Sequence, residues 1–102
     1  MIPAIEQHSD EIRRLCIDYR VQTLSLFGSS ASLQDDDAPH DLDFLVEFKP
    51  EAIDNYADAY FGLLDALKRL FGKPVDLVVE SAIRNPHFLE SIKRTRTELY
   101  AP

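Results

Sequence analysis

The sequence predicts an α/β (α+β) domain in which a small mixed β-sheet is covered by helices. Apolar and polar residues alternate over residues 41–48, as in a strand with one buried face. Apolar residues recur at helical spacing over residues 54–71, and Gly and Pro lie near the ends of these segments. The predicted order is helix, strand, short helix, strand, long helix, strand and helix, which indicates a sheet with helices packed on it.

The first half of the chain is predicted to form an amphipathic helix and a strand. The helix covers residues 4–19, and the strand covers residues 21–27 and ends at Gly28. A short helix is expected over residues 29–33, followed by a solvated acidic loop at residues 35–37. The apolar residues near one face of the first helix are Ile5, Ile12, Leu15, Cys16 and Tyr19.

The second half is predicted to contain the longest helix. It covers residues 54–71 and ends at Gly72, a typical residue after the C-terminus of a helix. A short strand follows over residues 75–79. Asn85 and Pro86 are a favourable pair to begin a helix that runs to about residue 94, because Asn caps the free amides and Pro fits the first turn. Residues 96–100 are expected to form a final short strand or a docked tail.

Composition limits the classes of function. The chain has 102 residues, enough for one domain over residues 1–102 that buries a core without disulfides. A net charge of −7 argues against a surface that binds a nucleic acid backbone. Cys16 has no partner for an internal disulfide, and no apolar run is long enough to span a membrane, so a cytoplasmic location is expected.

Two acidic residues in the second strand indicate a metal site. Asp41 and Asp43 are two positions apart, so their side chains share one face and their Cα atoms lie roughly 6.6 Å apart. Carboxylates about 4–5 Å apart repel by roughly 3–4 kcal/mol at an effective dielectric constant of 20. A bound divalent cation removes this repulsion. If the strand of Asp76 pairs beside theirs, three carboxylates share that face, as a two-metal phosphoryl-transfer site requires.

The turn at Gly28 and Ser29 supplies groups suited to phosphates. Glycine permits a sharp turn and a close approach of the backbone to a ligand. Ser29 offers a backbone amide and a hydroxyl at the start of the predicted short helix, where oxygens of a β- or γ-phosphate would bind.

These residues together resemble the minimal nucleotidyltransferase (MNT) family of the DNA polymerase β-like nucleotidyltransferase superfamily. The family signature is Gly-Ser, about ten residues, Asp-x-Asp and a later Asp in a strand; here Gly28-Ser29 precedes Asp41-Leu42-Asp43 by eleven residues, and Asp76 is the later Asp. The resemblance covers nearly the whole chain and implies the polymerase β-like nucleotidyltransferase fold.

The resemblance also implies an activity and its residues. Asp41, Asp43 and Asp76 would be catalytic and would hold Mg²⁺, with two ions expected, while Gly28 and Ser29 would bind the nucleotide. The reaction would be Mg²⁺-dependent transfer of AMP from ATP, with release of pyrophosphate. Many small members resemble antitoxins that silence a HEPN-type toxin, encoded nearby, by adenylylating one of its tyrosines.

The sequence departs from the family pattern in three ways: at Ser30, at Leu33, and in the loop before Asp41, which is one residue longer and carries three extra acidic residues. Ser30 and Leu33 occupy places where members often carry Arg and Gly. These departures leave an alternative open, in which the protein neutralises a partner toxin by direct contact without catalysis. His40, next to the acidic pair, is expected to be a surface residue rather than a base.

Overall fold

A computed structural model describes residues 3–28 and 41–101. The short helix predicted at residues 29–33 and the acidic loop at residues 35–37 lie outside the described residues. Among those described, the chain forms a four-stranded sheet with helices on both faces, which confirms the predicted fold class.

The N-terminal segment forms two helices, α1 at Pro3–Gln7 and α2 at Ser9–Asp18. The prediction of one continuous helix over residues 4–19 is therefore wrong at His8. The His8 backbone leaves helical geometry (φ −107°, ψ 19°). Its ring lies 2.7 Å from Glu11 Oε2 and packs edge-on against Phe71 at 5.6 Å between ring centroids. His8 is not a helix-breaking residue type, so the sequence did not indicate a break at this position.

Four strands form the sheet in the order β3-β2-β1-β4. They are β1 at Val21–Leu26, β2 at Leu42–Phe48, β3 at Val75–Val79 and β4 at Thr97–Tyr100. β1 pairs antiparallel with both β2 and β4, whereas β2 and β3 are parallel. Parallel neighbours need a long connection, and here it contains helix α3 at Tyr56–Phe71.

Helix α3 begins two residues later than the sequence predicted, because a 3₁₀ segment at Pro50–Asn55 precedes it. Proline suits the first turn of such a segment because its missing N–H needs no partner there. Gly72 ends α3 in the left-handed conformation (φ 63°) and its amide donates to the Lys68 carbonyl at 2.8 Å, as predicted.

Helix α4 covers Pro86–Thr95 and joins β3 to β4. Asn85 caps it as predicted: its Oδ1 accepts hydrogen bonds from the amides of His87 at 2.9 Å and Phe88 at 3.3 Å. The last residues form strand β4 rather than a docked tail. Within the part of the chain that the structure describes, every helix is too short or too polar to cross a membrane.

The main core lies between one face of the sheet and helices α1, α2 and α3. Strand residues such as Phe44 and Val46 contact helix residues such as Leu63 and Leu67, and all four are fully buried. Cys16 belongs to this core, as predicted. Its buried members are Ile5, Ile12, Cys16, Val21, Leu24, Leu26, Leu42, Phe44, Val46, Phe48, Ala52, Ala59, Leu63, Leu67, Val75 and Leu77.

The opposite face of the sheet packs against α4 through a smaller group of side chains. Phe27, Leu45 and Ile92 are buried there, and Val78 and Ile83 are partly buried against them. We call these five residues the α4 cluster. Because side chains alternate along a strand, Asp43 lies on the same face as Leu45, and Asp76 on the same face as Val78.

Candidate active site

Strand pairing brings two of the three predicted carboxylates together. The parallel register of β2 and β3 places Asp43 directly beside Asp76. Their strand neighbours Phe44 and Leu77 are buried in the main core, so both carboxylates point to the face that α4 covers. The expectation that the strand of Asp76 pairs beside that of Asp43 is confirmed.

The environment of Asp43 disfavours its charge. Asp43 is half-buried, whereas Asp41 and Asp76 are exposed. Burial is the largest factor that raises the pKa of Asp43, followed by the charge of Asp76, a hydrogen bond with the Asp76 side chain, and the charge of Asp41. Burial and the neighbouring carboxylates therefore favour the neutral form of Asp43, and the positive charge of a bound cation would favour its charged form instead.

The donor atoms at this site fit Mg²⁺, which prefers carboxylate oxygens and often uses only one or two of them. Asp43 and Asp76 are adjacent, and Asp41 is close enough for its charge to affect Asp43. Among residues 3–28 and 41–101, however, no three His, Cys, Asp or Glu side chains are grouped closely enough to hold a metal ion. The role of the three carboxylates as one ligand set therefore stays a prediction.

Gly28 lies against the carboxylate of Asp43. It has a positive φ of 65°, and a Cβ atom at this position would be 3.0 Å from Asp43 Oδ2. The preceding residue, Phe27, donates its backbone N–H to the Asp43 carbonyl at 3.0 Å. A residue without a side chain is therefore needed here, where the chain leaves β1. Ser29, the other predicted nucleotide-binding residue, lies outside the described residues.

A cleft of about 420 Å³ opens beside the carboxylates. Asp43 and Asp76 line it together with Phe27, with Phe88 of α4 and with Tyr60 of α3. This volume falls within the range of small-molecule binding sites, about 300–1,000 Å³. In a pocket of this kind, the apolar lining can contact the organic part of a ligand, while the few acidic groups can hold a cation that the ligand carries.

The aromatic residues of the cleft were not predicted as site residues. The rings of Phe27 and Phe88 meet edge-on at 6.4 Å between centroids. Tyr60, expected to pack in the core, does so in part, and its hydroxyl donates to the Leu77 carbonyl at 2.6 Å. Phe27 directly precedes Gly28-Ser29, and this adjacency to the predicted nucleotide-binding residues could have marked it as a site residue. No sequence pattern marks Phe88, because only the packing of α4 brings it to the cleft.

Other candidate groups lie elsewhere or have other partners. His40 is outside the described residues. Arg96 is 3.4 Å from Glu80, and Lys93 and Arg94 are exposed in the last turn of α4, where they complement the negative end of the helix dipole. Burial raises the pKa of the Cys16 thiol to about 12, which keeps it protonated and unreactive.

Comparison with known proteins adds the family context. A family described as the nucleotidyltransferase domain matches residues 5–99. Two proteins of Methanocaldococcus jannaschii, both named "Putative protein adenylyltransferase", are similar to this chain. One is 32% identical over 75 residues, which cover 74% of this chain and 73% of the relative. The other is 38% identical over 77 residues, which cover 74% and 72%.

Solved structures show the same fold. A structure described as a putative minimal nucleotidyltransferase superposes with a TM-score of 0.66 and 25% identity, and the match covers 95% of both chains. A chain from a structure of tri-AMPylated Shewanella oneidensis HEPN toxin in complex with MNT antitoxin superposes with a TM-score of 0.65 and 21% identity, over 96% of this chain and 73% of that one. At 21% identity the second likeness shows the fold alone.

Proposed function

Because this chain belongs to the nucleotidyltransferase domain family and is a nucleotidyltransferase, we propose that its reaction is Mg²⁺-dependent transfer of AMP from ATP to a tyrosine hydroxyl of a partner HEPN-type toxin. The protein would then act as an antitoxin. The observation that carries this proposal is the pairing of Asp43 with Asp76. Both residues line the same cleft, and Gly28 lies against Asp43.

The nature of the acceptor is supported by the similar proteins. The two archaeal relatives are named for adenylyl transfer to proteins. The structure that contains the HEPN toxin carries three AMP groups on that toxin, in complex with an MNT antitoxin. This chain is similar in sequence to the two relatives and shares its fold with a chain of that complex, so a protein hydroxyl is the acceptor that these similarities favour.

The residues of this chain have distinct roles in the proposed reaction. The backbone at Gly28 and Ser29 would hold the β- and γ-phosphates. Asp41 and Asp43 would hold Mg²⁺, and Asp76 would activate the acceptor hydroxyl, as its base or as a ligand of a second Mg²⁺. When bound, Mg²⁺ supplies positive charge that offsets the charge of the phosphates and of the leaving pyrophosphate. A cation binds the charged form of Asp43, so with the pKa of Asp43 raised, nucleotide binding should weaken as pH falls towards that pKa.

The transfer step itself involves one proton and two bonds. The acceptor oxygen forms a bond to the α-phosphorus of ATP, and the bond from that phosphorus to pyrophosphate breaks. The proton of the acceptor hydroxyl passes to the carboxylate of Asp76, which is exposed and thus accessible to an incoming group. Because Asp76 lies on the strand next to that of Asp43, it can act on the acceptor while Asp43 holds the nucleotide.

A second candidate function is neutralisation of a toxin by contact alone. Ser30 and Leu33, in place of the Arg and Gly that often occur in the family, favour it because a missing cation near the triphosphate weakens nucleotide binding. In that case the carboxylates would be vestigial, and the surface of the protein rather than its cleft would carry the function.

An assay with labelled ATP separates these functions. The protein is incubated with ATP labelled at the α-phosphate and Mg²⁺, with and without the protein encoded by the neighbouring gene. We expect label on a tyrosine of the neighbouring protein, which mass spectrometry locates, and no label when EDTA replaces Mg²⁺. Asp41→Asn and Asp43→Asn variants provide the matched negative controls. Absence of label, combined with a stable complex of the two proteins, would establish the contact mechanism instead.

Thermal unfolding gives an independent test of nucleotide binding. MgATP should raise the melting temperature more than ATP with EDTA does, because a ligand that binds only the folded state stabilises it. The two Asn variants should lose this difference. Equal shifts with Mg²⁺ and with EDTA would contradict a metal-bridged triphosphate.

A cytoplasmic location and the absence of nucleic acid binding remain expectations from the sequence.

A further inference from the structure

Phe88 combines exposure with a place in the catalytic cleft. It belongs to the first turn of α4 and is 46% exposed, although most large apolar side chains of the described residues are buried. It lines the same cleft as Asp43 and Asp76. An isolated exposed aromatic side chain on a protein surface is ordinary, but one beside the reacting groups is available to a ligand in the cleft.

The backbone of Phe88 is fixed at the start of α4, and its ring is supported on one side. Its backbone amide donates to Asn85 Oδ1, and Pro86 fixes the chain at the first turn of the helix. Its side chain meets the ring of Phe27 edge-on, at an angle of 80°. Phe27 is itself buried against Leu45 and Ile92. A side chain that is already ordered before a ligand arrives loses little conformational entropy when the ligand binds.

We propose that Phe88 is the residue against which the base of the bound nucleotide stacks, an inference that rests on the proposed function. Phe27, the support of Phe88, directly precedes Gly28, one of the two residues proposed to hold the phosphates. The aromatic pair is therefore anchored to β1, on the nucleotide side of the carboxylates. The proposed acceptor base, Asp76, is on β3. Aromatic stacking tolerates any base, so Phe88 contributes affinity and orientation rather than a choice among bases.

The test compares two ligands that differ in whether they carry a base. Dissociation constants are measured by calorimetry for MgATP and for magnesium tripolyphosphate, with wild type, Phe88→Ala and Phe88→Trp. Phe88→Ala should weaken MgATP binding about tenfold, as expected for the loss of one aromatic–base stack. It should leave tripolyphosphate binding unchanged. Phe88→Trp should restore the preference for MgATP. Ile17→Ala, which removes an exposed apolar side chain of α2 on the opposite side of the sheet, is the control and should change neither value.

Each remaining outcome contradicts the inference in a recognisable way. Equal weakening of both ligands by Phe88→Ala would mean that the residue supports the shape of the site and does not contact the base. Unchanged MgATP affinity with slower transfer and a raised KM for the acceptor protein would place Phe88 on the acceptor instead. Wild-type protein that binds neither ligand would overturn the proposed function and, with it, this inference. Melting temperatures of the variants confirm that they are folded.

Discussion

One face of the sheet is covered by α1, α2 and α3 and buries most of the apolar side chains, whereas the other is covered by α4 and carries the carboxylates. On the first face, strand residues such as Phe44 and Val46 are completely buried. On the second, the buried members of the α4 cluster are Phe27, Leu45 and Ile92, and the cleft opens beside the carboxylates.

The difference shows how so small a domain accommodates acidic residues within strands. A carboxylate on the first face would be buried without a partner, which costs several kcal/mol. On the second face, Asp76 is exposed and Asp43 is half-buried, so the cost is a raised pKa of Asp43 rather than loss of the fold. We therefore expect substitutions on the first face to affect stability and those on the second to affect ligand binding and transfer.

Phe44→Ala should produce the largest loss of stability. Phe44 is fully buried and stacks on Phe71 at 6.1 Å between ring centroids, so its removal leaves a cavity. Such changes lower the free energy of unfolding by about 3–5 kcal/mol. Urea denaturation followed by circular dichroism measures the loss. Phe61→Ala, the same change at a side chain that is 64% exposed, is the control and should cost under about 1 kcal/mol. Similar losses in both variants would contradict the division between the faces.

Asp76→Asn should separate binding from transfer. It removes the proposed base, so transfer of AMP should fall at least about a hundredfold, while MgATP still binds through Asp41 and Asp43 and the free energy of unfolding stays nearly unchanged. Label incorporation and calorimetry measure the two effects. Glu98→Gln, which neutralises an exposed carboxylate on β4, should leave transfer intact. Transfer near the wild-type rate in Asp76→Asn would exclude the proposed role.

Two glycines with the same backbone conformation provide a sharper test of the site. Gly28→Ala and Gly72→Ala both place a side chain at a φ near +64°, and each should lower stability by roughly 1–2 kcal/mol. Only at Gly28 would the new Cβ meet Asp43 Oδ2, whereas nothing lies within 4 Å of it at Gly72. MgATP binding, measured by calorimetry, should therefore weaken in Gly28→Ala alone. Equal loss of binding in both would point to a general effect of instability.

Asp43→Asn should change the stability of the ligand-free protein only slightly, by an amount that depends on pH. Because the folded state raises the pKa of Asp43, it holds a proton more tightly than the unfolded chain does. The free energy of unfolding of the ligand-free protein should therefore fall as pH rises from about 4, the unfolded pKa, through the raised pKa. Asn carries no titrating proton, so the variant should be the more stable protein at pH 7, with a difference that shrinks towards pH 4. Denaturation at several pH values tests this; a constant difference would refute it.

Local patterns were sufficient to predict most of the fold. Alternation over residues 41–48 and the helical spacing up to Phe71 correspond to β2 and α3, and the signals at Gly72 and at Asn85 correspond to the observed helix ends. These features depend on residues near one another in the chain. The break at His8 has no helix-breaking residue to mark it in the sequence, and there the His8 ring contacts Phe71, far along the chain.

The carboxylates could be located from sequence, but the shape of the site could not. Strand patterning placed Asp43 and Asp76 in separate strands, and the resemblance named them as members of one set. That the two strands pair was a condition of the prediction, which the structure meets. The place of Phe88 beside the carboxylates depends on where α4 crosses the sheet. That position is set by the packing of Ile92 against Phe27 and Leu45. The chain between Gly28 and Asp41 carries Ser29, whose predicted role in phosphate binding stays a prediction.

The direct opposition of Asp43 and Asp76 ties the site to the order in which the molecule folds. The two residues belong to parallel strands separated in sequence by the whole of α3, so the loop between them must close before they meet. A slip of β3 by one residue would turn Asp76 towards the main core and expose Val75 and Leu77. During refolding, helical circular dichroism can therefore return before nucleotide binding does. Capture of MgATP would report the moment at which β3 joins the sheet in its native register.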